Sequence, residues 1–478
     1  MSKRQRIGAS ALLALLLLVL AACQAVTGSN VDLTQSGVNA LTSKSYQASA
    51  QITLERVGKA PADAQAAGLA ALAPVTLNLT TIDQQDSKHV YVEGELKDAK
   101  AAIPLRFSQS DMKLLFEADG AKQVEFDLSA LLSDKVKLNL PIDIGQLSGS
   151  LDSMIDAVLP FLIEKLPNAQ TVTVAPATET IHGESVSLQR IHIALKGAEF
   201  ADLYKQLLSG VKGDEAGVQQ AIAAMLDAAG LPSAPIVVQL VNNQLQEMLA
   251  KLPETPKADL FSDKLALNVD LYVDSDLQTR KLALDLFLPD GGTADGAAGT
   301  KMSVTSDLWN VNQAVTAKQL TPAADRLIWS PNLRMAHYLK SADAKSPLYD
   351  LLMNDLHITR KTIAMQMSAT NEITGSAPYI RGASTMVPVR FVSEQLAADV
   401  EWDGDKRQVH ITDILTGKTI VLTIDSTKAL VNGVEDELEV AAEITDDSTF
   451  VPVRFIAEKL GATVGWDEAT RTVSIIKP

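Results

Sequence analysis

Two stretches near the C-terminus repeat one another. Residues 385–411 read TMVPVRFVSEQLAADVEWDGDKRQVHI and residues 449–475 read TFVPVRFIAEKLGATVGWDEATRTVSI, with 15 of 27 aligned positions identical, no gap, and an offset of 64. Such a duplication predicts two equivalent supersecondary units that bury their apolar faces against each other. Pro388 and Pro452 lack an N–H, so they suit the entry of an element and not the middle of a strand. A helix is expected straight after them, with Phe391, Val392 and Leu396 on one face, as are Phe455, Ile456 and Leu460 in the second copy. Gly461 stands where a left-handed helix end is expected, and Ala397 takes its place in the first copy. Alternation follows at Ala398, Val400 and Trp402, and again at Ala462, Val464 and Trp466. After a turn at Asp403 or Asp467 the chain returns through Val409 and Ile411, or Val473 and Ile475. Each copy therefore reads as a helix plus a β-hairpin. A fainter gapless match upstream, 357–390 laid on 421–454, extends the repeats to about 357–411 and 421–475.

The expected repeat core is Pro388, Arg390, Phe391, Trp402 and Asp403, with Pro452, Arg454, Phe455, Trp466 and Asp467. Alternation puts each Trp on the face of its neighbouring Val, so both are expected at least half buried beside the Arg of their own copy. The alternative is a pair of exposed stacking platforms for a sugar or peptide. Arg390 and Arg454 have two readings as well. One is a bridge to Asp403 or Asp467 that ties helix to hairpin, which is favoured because both copies keep the pair. The other is capture of an anionic wall polymer.

The Val-Pro-Val-Arg-Phe run (387–391 and 451–455), the Glu-x-Leu helix (Glu394 and Leu396, Glu458 and Leu460), the Trp-Asp corner and the closing Val-x-Ile strand resemble the copper amine oxidase N-terminal domain, also called the stalk domain. The resemblance covers about residues 360–478. It implies a secreted or surface protein of a Gram-positive, spore-forming bacterium. It also implies an accessory role, since in the oxidase the catalytic domain lies elsewhere.

The N-terminus speaks to compartment. Lys3, Arg4 and Arg6 precede an uncharged apolar run over 9–22, too short to span a bilayer comfortably. The run ends in Leu20, Ala21, Ala22 and Cys23, which resembles the lipobox of bacterial lipoproteins, and Cys23 is the only cysteine. The expectation is a signal peptide over 1–22, lipidation at Cys23 and a tether over 23–45. Two acyl chains on one diacylglycerol suffice for stable membrane anchoring.

Residues 46–316 read as strands, then helices, then strands, an α+β arrangement. Period-two strands are expected near 46–57, 75–82, 89–96, 103–108, 112–118 and 123–128, with polar breaks that suit an antiparallel meander. A helix at 151–165 and a hairpin over 171–195 precede three helices at 200–208, 215–229 and 236–252. Strands return at 264–273, 279–287 and 301–308, and 317–356 reads as a connector with short helices. This order resembles the half-barrel of lipoprotein-carrier-like envelope proteins, which would imply a cavity for an apolar ligand. A solid-cored domain gives the same alternation, and both remain open.

The net charge of −16 argues against nucleic acid and against electrostatic adhesion to anionic lipid. Copper oxidation needs clustered histidines and a modified tyrosine. The six histidines, at 89, 182, 192, 337, 357 and 410, form no His-x-His pair, and no Asn-Tyr-Asp or Asn-Tyr-Glu tripeptide occurs. The acidic corners at Asp403, Asp405, Asp467 and Glu468 lack the twelve-residue calcium loop and suit turn capping instead. No catalytic residue, metal or cofactor is expected. The reading is a lipid-anchored extracytoplasmic protein with a non-catalytic module that binds cell-wall polymer or a surface protein. The alternative is a carrier or sensor of an apolar ligand.

Overall fold

The computed structural model describes residues 32–58, 74–128, 151–165, 172–253, 264–289, 298–330, 333–367 and 378–478. Cys23 and the apolar run before it lie outside the described residues. The chain is α+β and divides into two compact units, residues 1–119 with 123–326 and residues 120–122 with 327–478.

The first unit is a half-barrel sheet with helices. Its strands are β1 (Tyr46–Val57), β2 (Val75–Gln84), β3 (His89–Lys97), β4 (Ala102–Ser110), β5 (Lys113–Ala118) and β6 (Val124–Asp127). After the helices come β7 (Val172–Ile181), β8 (Glu184–Lys196), β9 (Ala266–Val273), β10 (Thr279–Pro289) and β11 (Gly299–Trp309). They lie in the order β6-β5-β4-β3-β2-β1-β11-β10-β9-β8-β7, so the meander is joined at its middle by its first and last strands. Register then carries one apolar row across eight strands: Ile193, Val269, Leu284, Val304, Ile52, Leu77, Leu96 and Ile103. The opposite face is charged, with Asp270 taking both Arg190 (2.8 and 2.9 Å) and His192 (2.7 Å). Burial pushes the Asp270 carboxyl up, but those two partners bring it below its ordinary range.

Among the described residues the unit also contains the helices α1 (Leu33–Thr42), α2 (Leu151–Lys165), α3 (Gly197–Gly213), α4 (Glu215–Ala228) and α5 (Pro235–Lys251). Phe200 and Leu203 of α3 cover the row where it runs through Ile193 and Val269. The stretch expected as a featureless tether contains α1, whose first turn is capped by Asp32 accepting from the Gln35 amide at 2.9 Å. Asn39 then ties the helix to the Leu277 carbonyl at 3.2 Å. Part of the expected connector also belongs here: Leu320 donates its amide to the Ser108 hydroxyl and Arg326 reaches the buried Glu125.

The second unit opens with β12 (Leu327–Ile328), α6 (Met335–Ser341), α7 (Pro347–Asp350) and a short π-turn. The duplicated part follows as β13 (Lys361–Gln366), β14 (Tyr379–Arg381), β15 (Ser384–Pro388), α8 (Val389–Gln395), β16 (Ala398–Asp403) and β17 (Gln408–Asp413). The second copy contains β18 (Thr419–Thr423), β19 (Lys428–Val431), β20 (Val434–Glu437), β21 (Glu443–Thr445), β22 (Ser448–Pro452), α9 (Val453–Lys459), β23 (Thr463–Asp467) and β24 (Thr472–Lys477).

The two copies are related by a local two-fold. β15 pairs antiparallel with β22 so that Val387 faces Val451, Met386 faces Pro452 and Pro388 faces Phe450. Each of these is its partner's equivalent or lies symmetrically about it, the signature of an isologous contact. The third strand of each hairpin is exchanged: β18, the start of copy 2, pairs with β17 of copy 1, and β13, the start of copy 1, pairs with β24 of copy 2. Ile363 thus matches Ile420, each opposite the closing Ile of a hairpin. That offset is 420 − 363 = 57, not 64, which corrects the gapless upstream alignment. Copy 2 has seven more residues between Ile420 and Ile444 than copy 1 has between Ile363 and Ile380, and this shifts the register upstream of β21.

Where the two-fold passes the ends of β17 and β24, it brings together Asp413 and Lys477, which are equivalent positions with opposite charge. They pair at 3.0 Å, and Lys477 also donates to the Leu396 carbonyl at 2.7 Å. Burial pushes the Asp413 carboxyl up, yet the Thr416 amide and the Lys477 ammonium hold it below the usual range.

Pro388 and Pro452 take extended dihedrals at the helix N-caps, as their missing N–H suits. Both helices end in a left-handed residue, Ala397 (φ 61°) and Gly461 (φ 81°). A Cβ costs about 1–2 kcal/mol there, more than the roughly 0.5–1 kcal/mol of extra chain entropy that a glycine loses on folding. Ala397→Gly should therefore stabilise the module by about 0.5–1 kcal/mol. Gly461→Ala meets no atom within 4 Å, so its loss of about 1 kcal/mol should be purely conformational. Urea midpoints of the two variants check both signs.

Candidate binding cleft of the duplicated module

A cleft of about 290 Å³ opens between the copies. That is close to the low end of ligand-site volumes, about 300 Å³, and suits one ring-sized group. Copy 1 supplies one wall from the β14–β15 turn, with Ile380, Ser384 and Thr385. Copy 2 supplies the other from the α9 entry and the β23–β24 hairpin, with Arg454, Val464, Trp466, Glu468 and Arg471. Glu439 closes the rim and accepts from the Ser384 hydroxyl at 2.7 Å.

Helix length explains why Trp466 is available. The seven-residue α9 is about 10 Å long, while a six-residue strand runs about 20 Å. The hairpin therefore projects past its helical cover, and its tip is left wet. Trp402 and Trp466 are 46% and 40% exposed, although they share a face with Val400 and Val464. Each is thus just over half buried, as expected, but stands at the hairpin tip outside the shared core. The Trp466 indole N–H donates to Glu468 at 2.6 Å, which fixes the ring; Gly404 stands at the equivalent place beside Trp402.

Other expected core residues separate in the same way. Pro452 and Phe455 are buried and Pro388 is half-buried. Phe391 is 47% exposed, which corrects its placement in the core. Arg390 and Arg454 are exposed, and neither bridges to the aspartate of its hairpin. Each lies along its own helix, toward Glu394 at 3.6 Å and Glu458 at 4.0 Å. The aspartates are satisfied by their turns: Asp403 accepts the Lys406 amide at 3.1 Å, and Asp467 accepts those of Ala469 and Thr470 at 2.9 and 3.2 Å. Those turn contacts hold both carboxyls below the usual range, led by the Lys406 amide for Asp403 and the Thr470 side chain for Asp467.

The sequence reading missed Arg471, Ile380, Ser384 and Thr385 as cleft residues. A usable signal existed, because Arg407 and Arg471 are identical between copies at turn positions. The histidines are dispersed: His89 on Asp86, His182 stacked on Trp309, His192 on Asp270 and His337 on Asp399. Among the described residues no group of three His, Cys, Asp or Glu side chains could hold a metal ion, and no helix is long and apolar enough to cross a membrane.

Fold and cleft together define a duplicated, strand-exchanged α+β module with a composite cleft between its copies. Residues 368–475 match the protein family described as the copper amine oxidase N-terminal domain. Only that non-catalytic domain is matched, not the oxidase's catalytic domain. The matched segment starts after β13 and so omits one of the exchanged strands. No curated protein matches the chain.

Proposed function

We propose that this protein is a non-enzymatic, lipid-anchored lipoprotein on the outer face of a Gram-positive cell membrane, whose C-terminal module holds cell-wall glycan. The observation that carries the binding reading is the composition of the Trp466 cleft. An exposed indole offers a flat apolar face for a sugar ring. The rim sets two arginines, Arg454 and Arg471, against two carboxylates, Glu439 and Glu468. Balanced donors and acceptors suit a neutral polyhydroxylated ring better than a polyanion, which would meet the two carboxylates. The test is retention of the full chain on isolated peptidoglycan. Trp466→Ala should lose most of it, and retention equal to wild type would sink the reading.

Anchoring rests on Cys23 and the charged and apolar segments before it. Cys23→Ser is expected to move the protein from the membrane fraction to the soluble one, or to leave its signal uncleaved, and to abolish labelling by a palmitate analogue. A variant that still labels would exclude Cys23 as the site.

A second reading, carriage of an apolar ligand, has its own support in the first unit. Val304, Ile52, Leu77 and Leu96 are consecutive members of the apolar row and are only half-buried, whereas Ile193 and Val269 in the same row are fully buried. Lipid identified by mass spectrometry in the purified protein would favour this reading.

A further inference from the structure

We infer that the module carries a second, symmetry-related glycan site on copy 1, so that one chain engages two positions of the same neutral polymer. The inference rests on the wall-glycan reading and deepens it. The two-fold that relates β15 to β22 carries the Trp466 cleft onto Trp402, with Arg390 and Arg407 in place of Arg454 and Arg471. Its opposite wall comes from the β21–β22 turn, where Ile444, Ser448 and Thr449 repeat Ile380, Ser384 and Thr385. Every one of these is identical between copies. Ile444, Arg390, Arg407 and Trp402 are exposed, as floor, rim and platform of an open site require.

The acidic positions are not shared between copies. Copy 1 has Gly404 where copy 2 has Glu468, but it has Glu401 for Gly465 and Asp447 for Ala383. Glu401 lies on the face of β16 opposite Trp402, across from His410, so each cleft keeps its indole and two arginines while the acidic groups around them differ. Because each cleft takes one wall from either copy, neither site exists without the exchanged pair. Trp402 lacks the carboxylate that fixes Trp466, so its site is the weaker of the two.

A polymer long enough to reach both sites is held more tightly than either site holds a short piece, through effective concentration. The experiment compares the full chain with Trp402→Ala, Trp466→Ala and the double variant, on a soluble muropeptide-free glycan fragment and on intact peptidoglycan. The expected result is two unequal sites for the fragment by calorimetry. Trp402→Ala should remove only the weaker one, and either single variant should lose about 10–100-fold on the polymer. Arg390→Gln repeats the Trp402 arm from the helix, without touching the hairpin tip, should the Ala variant melt below wild type. A single fragment site, or full polymer retention by both copy 1 variants, overturns the second site while the wall-glycan reading stands. No retention of wild type overturns both.

Discussion

Lys477→Met should cost the second unit about 3–5 kcal/mol, the loss expected when one member of a buried ion pair is removed and the other stays behind. Asp413 and Lys477 lie on the two-fold, at the same position of each copy, with side chains 5% and 13% exposed. Removing the ammonium leaves the Asp413 charge with the Thr416 amide and hydroxyl alone, and it also frees the Leu396 carbonyl at the end of α8. The pH dependence has a definite sign. Asp413 has a lowered folded-state pKa, so its contribution is fully present above the unfolded value of about 3.9 and is lost as pH falls through the folded one. The gap between wild type and Lys477→Met should therefore narrow as pH drops below about 4. Urea titrations at pH 7 and at acid pH measure it, and a gap independent of pH would refute the axial pair as the cause.

Phe455→Ala should cost about 3–5 kcal/mol, whereas Phe391→Ala, at the equivalent position, should cost about 1 kcal/mol or less. Phe455 is 9% exposed and belongs to the core that both copies share; Phe391 is 47% exposed. In copy 2 the β19–β20 hairpin contributes to the cover. Asp436 of β20 holds Lys459 at 2.7 Å, and the Lys459 ammonium lies 5.4 Å from the centre of the Phe455 ring. Copy 1 has Gln395 where copy 2 has Lys459. Equal costs for the two variants would refute the difference in packing.

Much of each copy could be read from residues alone, because its signals are local. A proline opens the helix, a left-handed residue closes it, and alternation marks the hairpin. The amphipathic strands of the half-barrel were equally visible, since period two survives in one strand at a time. Long-range features were not visible. The strand exchange depends on β13 and β18, which lie outside the strong match and follow an offset that an insertion has changed. The axial pair was hidden because Asp413 and Lys477 differ in type, and identity was the only guide to equivalence. The expected Arg–Asp bridges do not form, although both copies keep the pair. In the structure i,i+4 neighbours and turn amides are simply nearer. The Trp positions show the limit of periodicity, which tells which face a side chain takes but not how far its cover extends.

The exchanged strand also sets a timetable. β13 is the first strand of the duplicated part and pairs with β24, the last, so Ile363 waits for Ile475 and for everything between. Loop closure over such a span is slow, and ladders of this kind form after local ones. The meander β16–β20 joins only sequence neighbours and can form as soon as its own residues are free to fold. Until β24 is made, β13 is an unpaired strand with an open edge, the state in which nascent chains stick to one another. Closure comes as the final event, and before it the nascent chain has a folded middle and an unprotected beginning.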